Sequence, residues 1–419
     1  MTIRLGLWLT LIGVAAAVSG CAPQTVSRSQ TTFPQVSDAC QARTIPGRYI
    51  IHWNDGSRSI EEGLSRSEVE REILEPLAEH ITLIEQDLRV EAISPSNAPE
   101  DPVDTANADW GQQAVGGPAA WAAGLKGAGV TVAVIDSGID PTHPALRNQL
   151  LVNSGEVGLD AQGRDRRTNK IDDDGNGYID DVNGYDFYDD TGVLTDGAGH
   201  GTHVAGIVAA EHGVGSAKGL APMAKILPLD FMDDRGGGVI SLALEAIDYA
   251  VKRNARVINA SWGGASCSVS LRNRLSALEA LGVVVVTASG NEGANLDQDP
   301  SYPSAFGLPA QLNVGASSLR GVMTDFSNYS YQLVDLVAPG QLILSTWPGG
   351  RYVEESGTSM AAPFVAAAAA VLISAQPMAS PREIKQALLE SVRKGPFAVS
   401  SQGQLDLPAA LNRLRQIRP

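Results

Sequence analysis

Three short stretches of this chain set reactive side chains among small neighbours. Val134-Ile135-Asp136-Ser137-Gly138-Ile139-Asp140 puts a carboxylate at the end of an apolar run. An unpaired acid is costly to bury, so Asp136 demands a partner. Asp196-Gly197-Ala198-Gly199-His200-Gly201-Thr202-His203 places a histidine among glycines at the start of a helical pattern, where its ring can approach another loop. Glu355-Ser356-Gly357-Thr358-Ser359-Met360-Ala361-Ala362-Pro363 starts a helix with a serine. Free amides at a helix N-terminus can stabilise a developing oxyanion. Together these are the parts for nucleophilic acyl transfer. Ser359 attacks a carbonyl, His200 takes its proton and passes it to the leaving group, and Asp136 holds the imidazole and stabilises the imidazolium. Two plainer readings stand beside this one. His200 and His203 could ligate a metal, but no third ligand follows at suitable spacing. Ser359 could be a simple helix cap.

A second pattern lies between the first two stretches. Residues 160–196 hold 11 acidic and 4 basic residues, and within them runs Asp172-Asp173-Asp174-Gly175-Asn176-Gly177-Tyr178-Ile179-Asp180-Asp181. Asp172, Asp174 and Asn176 occupy positions 1, 3 and 5 of an EF-hand-like loop, with Gly177 at 6 and Asp180 at 9. Tyr178 can offer its carbonyl. Position 12 is Asn183 rather than a bidentate Glu, and Asp181 could substitute for it. Calcium is the expected ion; a solvated acidic loop is the alternative.

The elements that must position these groups follow from periodicity. From about residue 106, apolar runs (129–138, 224–232, 255–262, 283–290) alternate with helical stretches. That alternation predicts an α/β fold with a parallel sheet covered by helices on both faces, whose functional groups collect at the carboxyl ends of the strands. Before it, residues 48–53 and 81–93 read as strands around a helix at 65–79, with Ser67 as its N-cap and Glu70 three residues on. Pro76 is expected to bend or shorten that helix. The Pro- and Asp-rich stretch 94–105 reads as a domain boundary.

The motifs VIDSGID, HGTHVAG and GTSMAAP resemble the three active-site motifs of the subtilisin-like serine proteases, the subtilase family. Their order, Asp then His then Ser, is that of subtilisin. The resemblance runs from about Trp110 to Leu414 and implies a serine endopeptidase acting on protein or peptide substrates, with no cofactor required for catalysis. It implies further roles. In Ala288-Ser289-Gly290-Asn291-Glu292-Gly293, Asn291 would donate to the oxyanion beside the Ser359 amide, with Gly290 in the substrate groove. Ser261, Trp262 and Gly263 would form an edge that binds substrate backbone by strand addition. Trp262 and Glu292 are expected near the cleft. Residues 46–93 resemble the family's inhibitory prosegment, whose tail fills the cleft until it is cut, here between about 94 and 108. Two departures stand out. His143-Pro144-Ala145 lacks the carboxylate of the family's strong calcium site, and Pro363-Phe364-Val365 replaces Pro-His-Val.

Residues 1–20 carry one Arg before a short apolar run ending in small residues, the pattern of a secretory signal peptide. Val18-Ser19-Gly20-Cys21 resembles the lipobox of bacterial lipoproteins, which implies acylation of Cys21 and a membrane anchor. The expected organisation is a signal peptide at 1–20, a tether and inhibitory prosegment at 21–105, and a catalytic domain at 106–419. The expected location is periplasmic, outer-membrane or cell-surface. Cys40 and Cys267 then remain, as a pair or as two free thiols. The net charge of −16 argues against nucleic acid as a partner. A rival of another class is a non-catalytic, peptide-binding surface lipoprotein on the same scaffold.

Overall fold

The computed structural model describes residues 44–93 and 108–418. The signal peptide, Cys21, Cys40 and the 94–107 stretch lie outside the described residues.

The N-terminal segment is a small antiparallel sheet of β1 (Thr44–Trp53), β2 (Arg58–Glu62) and β3 (Ile81–Ala92), in the order β2-β1-β3. Between β2 and β3 the chain is helical through α1 (Arg66–Val69), a wider π-type turn at Glu70–Leu74, and α2 (Glu75–Leu77). The N-cap is Ser65, not Ser67. Ser-x-x-Glu occurs twice in overlap here, and the earlier box closes, with Ser65 capping the Glu68 amide and Glu68 accepting from the Ser65 amide at 2.7 Å. The wide turn falls just before Pro76, whose missing N–H removes a bond to the preceding turn.

The second layer begins with two short helices, α3 (Trp110–Ala114) and α4 (Gly117–Ala122). Then come β4 (Thr131–Asp136), β5 (Tyr185–Asp186), α5 (His200–Ala209), β6 (Lys225–Asp230), β7 (Gly237–Val239), α6 (Ile240–Lys252), β8 (Val257–Ala260), β9 (Trp262–Gly263) and α7 (Val269–Leu278). The rest is β10 (Val284–Ala288), β11 (Gln311–Ser317), β12 (Leu336–Pro339), the hairpin β13 (Ile343–Trp347) and β14 (Arg351–Glu355), α8 (Thr358–Ala375), α9 (Pro381–Glu390), β15 (Arg393–Lys394), β16 (Gly403–Gln404) and α10 (Leu407–Ile417). The main sheet runs β12-β11-β10-β8-β4-β6-β5 with all pairings parallel, extended by β16 and a short antiparallel β15.

Alternate residues of one strand feed opposite layers, because successive side chains point to opposite faces. Val132 and Val134 of β4 join the core formed with α5 and α8, whereas Ala133 and Ile135 join the one formed with α6 and α7. The fully apolar strands of the sequence are therefore buried on both sides, as expected. Strand order reverses between β4 and β8, so a crevice opens at their carboxyl ends. Asp136 ends β4, and Ser261 follows β8.

Helix α8 is apolar all round and almost wholly buried, the signature of a central core helix rather than an amphipathic surface one. Among the described residues it is the one helix long and apolar enough to cross a membrane, yet 89% of it is buried inside the protein. Pro363 sits inside it. A proline there cannot donate to the carbonyl four residues back, which is that of Ser359. The Ser261 hydroxyl fills the gap, donating to the Ser359 carbonyl at 3.0 Å. The proline in GTSMAAP thus links the start of α8 to the strand edge that follows β8.

Candidate active site

The structure brings Asp136, His200 and Ser359 to the crevice from three elements. Asp136 Oδ1 lies 2.6 Å from His200 Nδ1 and also accepts the Ser137 amide at 2.9 Å. Both side chains are buried. Burial alone would lower the pKa of His200, but the Asp136 carboxylate outweighs it and raises the group above its ordinary value. His200 Nε2 is buried and has no hydrogen-bond partner. His203 belongs elsewhere. Burial pushes its pKa down to about 3, and its Nε2 bonds the Val353 carbonyl at 3.2 Å, so it packs as a neutral ring and pairs with no metal ligand.

The start of α5 is held by a residue to which the sequence reading gave no role. Asp196 accepts from the Gly199 amide at 2.7 Å, the Thr202 amide at 2.8 Å and hydroxyl at 2.6 Å, and the Ser137 hydroxyl at 3.0 Å. It therefore fixes the His200 turn against the Asp136 turn. Its visible signal was an acid just before a helix start. Gly199 has φ +80, and a Cβ there would fall 2.4 Å from the Trp347 ring, so glycine is required for both reasons. Behind Asp136 lies Asp230, whose pKa burial and the charges of Asp186, Asp196 and Asp136 raise to about 9.

Ser359 lies in the first turn of α8. Its hydroxyl is 3.0 Å from the Ile93 carbonyl and 3.2 Å from the Ser261 carbonyl. Asn291 is placed alongside. Its Oδ1 accepts from the Thr358 amide at 2.9 Å and hydroxyl at 3.0 Å, while the same hydroxyl accepts the Gly290 amide at 3.0 Å. This orients the side-chain amide next to Gly357, where a Cβ would come within 3.0 Å of Asn291 Nδ2.

The groove already holds a strand. β3 runs antiparallel to β7 (Val90 opposite Gly238) and to β9 (Ala92 opposite Trp262). The Ala92 amide donates to Gly236 at 2.8 Å and the Ile93 amide to Ser261 at 3.3 Å. Ser261 and Gly263 therefore contact the segment through backbone. Trp262 does so too, but its ring is not in the cleft. It is buried against Phe231 and donates to the Ile135 carbonyl at 2.9 Å, because a large ring on this strand has the core beneath it.

Two acids of β3 cap helices of the second layer. Glu85 accepts from the amides of Val269 and Ser270 at 2.8 and 2.9 Å and from the Ser268 hydroxyl at 3.0 Å. Asp87 accepts from the Ser241 amide and hydroxyl and is paired with Arg48 at 2.8 Å. Carboxylates at helix N-termini satisfy orphan amides and meet the positive end of the dipole. In the uncut chain, Asp87→Asn is expected to speed hydrogen exchange of the Ser241 amide by about tenfold, equivalent to the loss of one charge-assisted bond. Unchanged exchange would show that Asp87 does not hold α6.

The acidic insert folds differently from an EF-hand. Asp172 accepts three loop amides, from Gly175, Asn176 and Gly177, and against burial these hold its carboxyl below the usual range. Asp180 accepts the Lys170 amide. The Tyr178 ring packs on Tyr185 and Tyr249. The acids that converge are Glu156, Asp174 and Asp181, each offering an oxygen within 4.8 Å of the others. Asn153 bridges Asp174 and Asp181 at 2.9 and 2.6 Å, and Asn176 bonds both as well. Arg253 pairs with Asp181 at 3.2 Å. Glu156 Oε2 is buried without a partner, and burial, Asp181 and Asp174 raise the pKa of that carboxyl. An orphaned oxygen among carboxylates suits a hard cation. Glu156 lies outside the DxDxN motif, on the turn Ser154–Glu156, so loop spacing gave no signal for it.

A core α/β sheet with a serine, a histidine and an acid at its switch point defines a serine hydrolase of the subtilisin type. The Peptidase S8 profile, the subtilase family, matches residues 127–405. The major intracellular serine protease of Bacillus subtilis is 35% identical over 279 residues, covering 66% of this chain and 78% of that protein. Subtilisin amylosacchariticus, from Bacillus subtilis subsp. amylosacchariticus, is 33% identical over 280 residues, covering 67% of this chain and 64% of its own length. Among solved structures, fervidolysin from Fervidobacterium pennivorans, described as a keratinolytic enzyme related to subtilisin, superposes with a TM-score of 0.70 at 26% identity, over 89% of this chain and 62% of its own. The chain belongs to the subtilase family and is a subtilisin-like serine endopeptidase.

Proposed function

We propose that this protein is an exported, lipid-anchored endopeptidase whose Ser359 is the nucleophile, His200 the general base and then acid, Asp136 the orienting acid, and Asn291 with the Ser359 amide the oxyanion donors. The observation that carries the reading is the Ile93 carbonyl resting against the Ser359 hydroxyl. The chain's own strand lies in the groove as a substrate would. Attack on a carbonyl so held transfers the serine proton to His200 Nε2. The oxyanion is met by Asn291 and the helix amide, and His200 returns the proton to the leaving amine. Backbone pairing on both sides of β3 selects extended peptide rather than particular side chains. Asn291→Leu is expected to lower kcat by about 10²–10³-fold with KM little changed, the cost of removing one oxyanion donor in subtilisin itself.

In this reading residues 21–93 comprise the tether and an inhibitory prosegment, and 94–105 lead into the catalytic domain at 106–419. Cleavage is proposed at Ile93–Ser94, at the N-terminal edge of the 94–108 stretch expected from composition, because the Ile93 carbonyl lies against the Ser359 hydroxyl. The cut segment stays in the groove as a product, aided by Glu85 and Asp87. The rival peptide-binding reading uses the same groove, but binding alone needs no imidazole held 2.6 Å from a buried acid. A fluorophosphonate probe should label Ser359, located by peptide mapping, and N-terminal sequencing of the active form should begin at Ser94. Mature protein that takes no label overturns the catalytic assignment. Anchoring rests on Cys21; Cys21→Ala should move the protein out of the membrane fraction, and unchanged fractionation refutes lipidation.

Calcium is the proposed structural ion, with Glu156, Asp174 and Asp181 as the residues that would hold it; it has no part in the reaction. Binding to the native state alone raises stability by about 4 kcal/mol at a thousandfold excess over Kd. Tm should therefore rise with calcium and fall with chelator. Glu156→Gln should abolish that difference while raising Tm in chelator, because it removes an unpaired buried charge. Equal Tm values for the wild type at saturating calcium would exclude the site.

A further inference from the structure

Three neighbouring strands end on an acid. In register, Asp136 of β4 lies opposite Asp230 of β6, and Asp230 lies opposite Asp186 of β5. One residue earlier on each strand, Ile135, Leu229 and Tyr185 all join the α6 layer. Side chains alternate along a strand, so the three acids share the other face, with neighbouring strands about 4.8 Å apart. Asp196, just before α5, joins the row through the Ser137 hydroxyl at 3.0 Å. All four acids are buried, none more than 9% exposed. Like charges this close cannot all ionise away from water. Among the described residues, only the insert acids Glu156, Asp174 and Asp181 converge within 4.8 Å of one another, so a proton rather than an ion must relieve this row. The donors decide which acid keeps it. Asp196 accepts four hydrogen bonds, and Asp186 accepts the amides of Tyr188 and Asp189 at 2.9 Å each. Asp136 accepts the Ser137 amide beside the His200 ring. Asp230 accepts only the Met232 amide, at 3.1 Å through Oδ1. Its Oδ2 meets Gly138 in the Asp136 turn. A Cβ on Gly138 would stand 2.8 Å from that oxygen and 1.9 Å from the Thr195 carbonyl oxygen, so both oxygens crowd one side of the turn. The Thr195 carbonyl accepts the Ile139 amide at 3.0 Å and has a second lone pair open. Of the two crowded oxygens, only the carboxyl can carry a proton.

We infer that Asp230 is a positioning residue that keeps its proton at neutral pH and, by donating its O–H to the Thr195 carbonyl, ties the Asp136 turn to the turn before His200; this rests on the proposed roles of Asp136 and His200. Burial and the charges of Asp186 on β5, Asp196 before α5 and Asp136 on β4 raise the Asp230 pKa, in keeping with that state. Asp189 and Asp234 act on the row from further out, through Asp186. The consequence for catalysis is geometric. Asp136 holds His200 Nδ1, while Asp196 fixes the first turn of α5, so the ring keeps its place only while the two turns stay together. The charges that raise the His200 pKa are those of Asp136, Asp196 and Glu355, and a neutral Asp230 adds none. At alkaline pH Asp230 gives its proton to solvent. The bond to Thr195 then becomes two facing oxygens, the turns part, and turnover falls.

The test uses enzyme made from the full chain, with kcat and KM followed across both pH limbs. Wild type should show an acid limb set by His200 and an alkaline limb near the Asp230 pKa of about 9. Asparagine fits the same space, can donate an N–H to the Thr195 carbonyl and cannot ionise. Asp230→Asn should therefore rescue turnover at neutral pH, leave the acid limb in place and abolish the alkaline limb. Asp230→Leu has no donor and should lower kcat by about tenfold with KM unchanged, the loss of one buried hydrogen bond. Two readings do not depend on turnover. The infrared difference between wild type and Asp230→Asn should contain the C=O stretch of a protonated carboxylic acid at neutral pH, and lose it above about pH 9. A carboxyl whose folded pKa is raised costs stability that grows as pH rises from the ordinary carboxylate value to the folded one. The Tm of Asp230→Asn should therefore exceed that of wild type by a margin that widens over that range. An acid limb that moves to lower pH in Asp230→Asn would mean that a charge has left the His200 surroundings, and would overturn the protonated state, as would a Tm margin that stays flat. An alkaline limb that persists in this variant overturns the positioning role. Wild type without turnover removes the triad reading and the positioning role with it, while the infrared band and the Tm margin still report the proton.

Discussion

Ser359→Ala will lower turnover by about 10⁶-fold and leave the chain uncut. The rate loss is the size found for the same change in subtilisin, where removing the nucleophile alone costs nearly as much as removing the whole triad. The structural reason is visible in the hydroxyl's surroundings. Ser359 Oγ lies 3.0 Å from the Ile93 carbonyl oxygen, the position from which the proposed nucleophile would form the acyl bond. The variant should fold. Alanine keeps the α8 backbone, and the Ser261 hydroxyl still meets the residue-359 carbonyl that Pro363 leaves open. Uncut material should therefore accumulate with β3 in the groove and migrate as the intact chain under reduction. Kinetics give a second reading. Substrate affinity should survive, because β7 and β9 bind backbone without the hydroxyl, so the loss should fall on kcat and not on KM. A variant that still processes itself at Ile93–Ser94 would mean that another protease makes the cut, and residual turnover within a hundredfold of wild type would remove Ser359 from its role.

The parts of this molecule legible in sequence share one property: the signal is local. Apolar runs such as 129–138 and 283–290, alternating with helical stretches, read as strands buried on both faces, so the parallel sheet follows from that local alternation. The three motifs likewise carry their own small neighbours. What was missed depends on distant partners. Ser65 and Ser67 each begin a Ser-x-x-Glu box, and the structure closes the one at Ser65–Glu68. Trp262 looked like a cleft residue because its neighbours are. Which face of the strand points to the core is set by Phe231 and the Ile135 carbonyl, more than a hundred residues upstream in the latter case. Glu156 is the sharpest case. The acidic loop suggested ligands at regular spacing, but Asp172 and Asp180 spend their oxygens on loop amides, and the acid left without a partner comes from a turn outside the motif. Asp196 carries no visible role within its own motif, since its four donors come from both the Ser137 and Thr202 sides.

Asp136→Asn will lower kcat by about 10⁴-fold, the order found when the triad acid is neutralised. Asparagine fits the space, and its Oδ1 can still accept the Ser137 amide, so the packing around β4 should persist. What is lost is charge. His200 is buried, and burial by itself disfavours its protonated form; the adjacent Asp136 carboxylate is the strongest of the charges that reverse this and raise its pKa. During attack the ring must become an imidazolium in the same place, so without Asp136 most of the compensation for its desolvation is missing in the transition state. The sign of the pH effect follows. The base works only when neutral, so wild-type activity falls as pH drops through the raised His200 pKa. In Asp136→Asn that acid limb should move to lower pH, because desolvation remains while the attraction is gone. Stability should follow the linked course. In wild type, the raised pKa contributes stability at pH below the ordinary histidine value, and this is lost as pH rises through the folded pKa. The variant should lack that low-pH contribution and match wild type more closely under alkaline conditions. Asp196, which also raises the His200 pKa but more weakly, remains in the variant, so the shift in the acid limb should be partial in its electrostatics though large in rate. An acid limb that stays in place while kcat falls would show that Asp136 orients the ring without setting its charge, and a kcat within tenfold of wild type would show that it does neither.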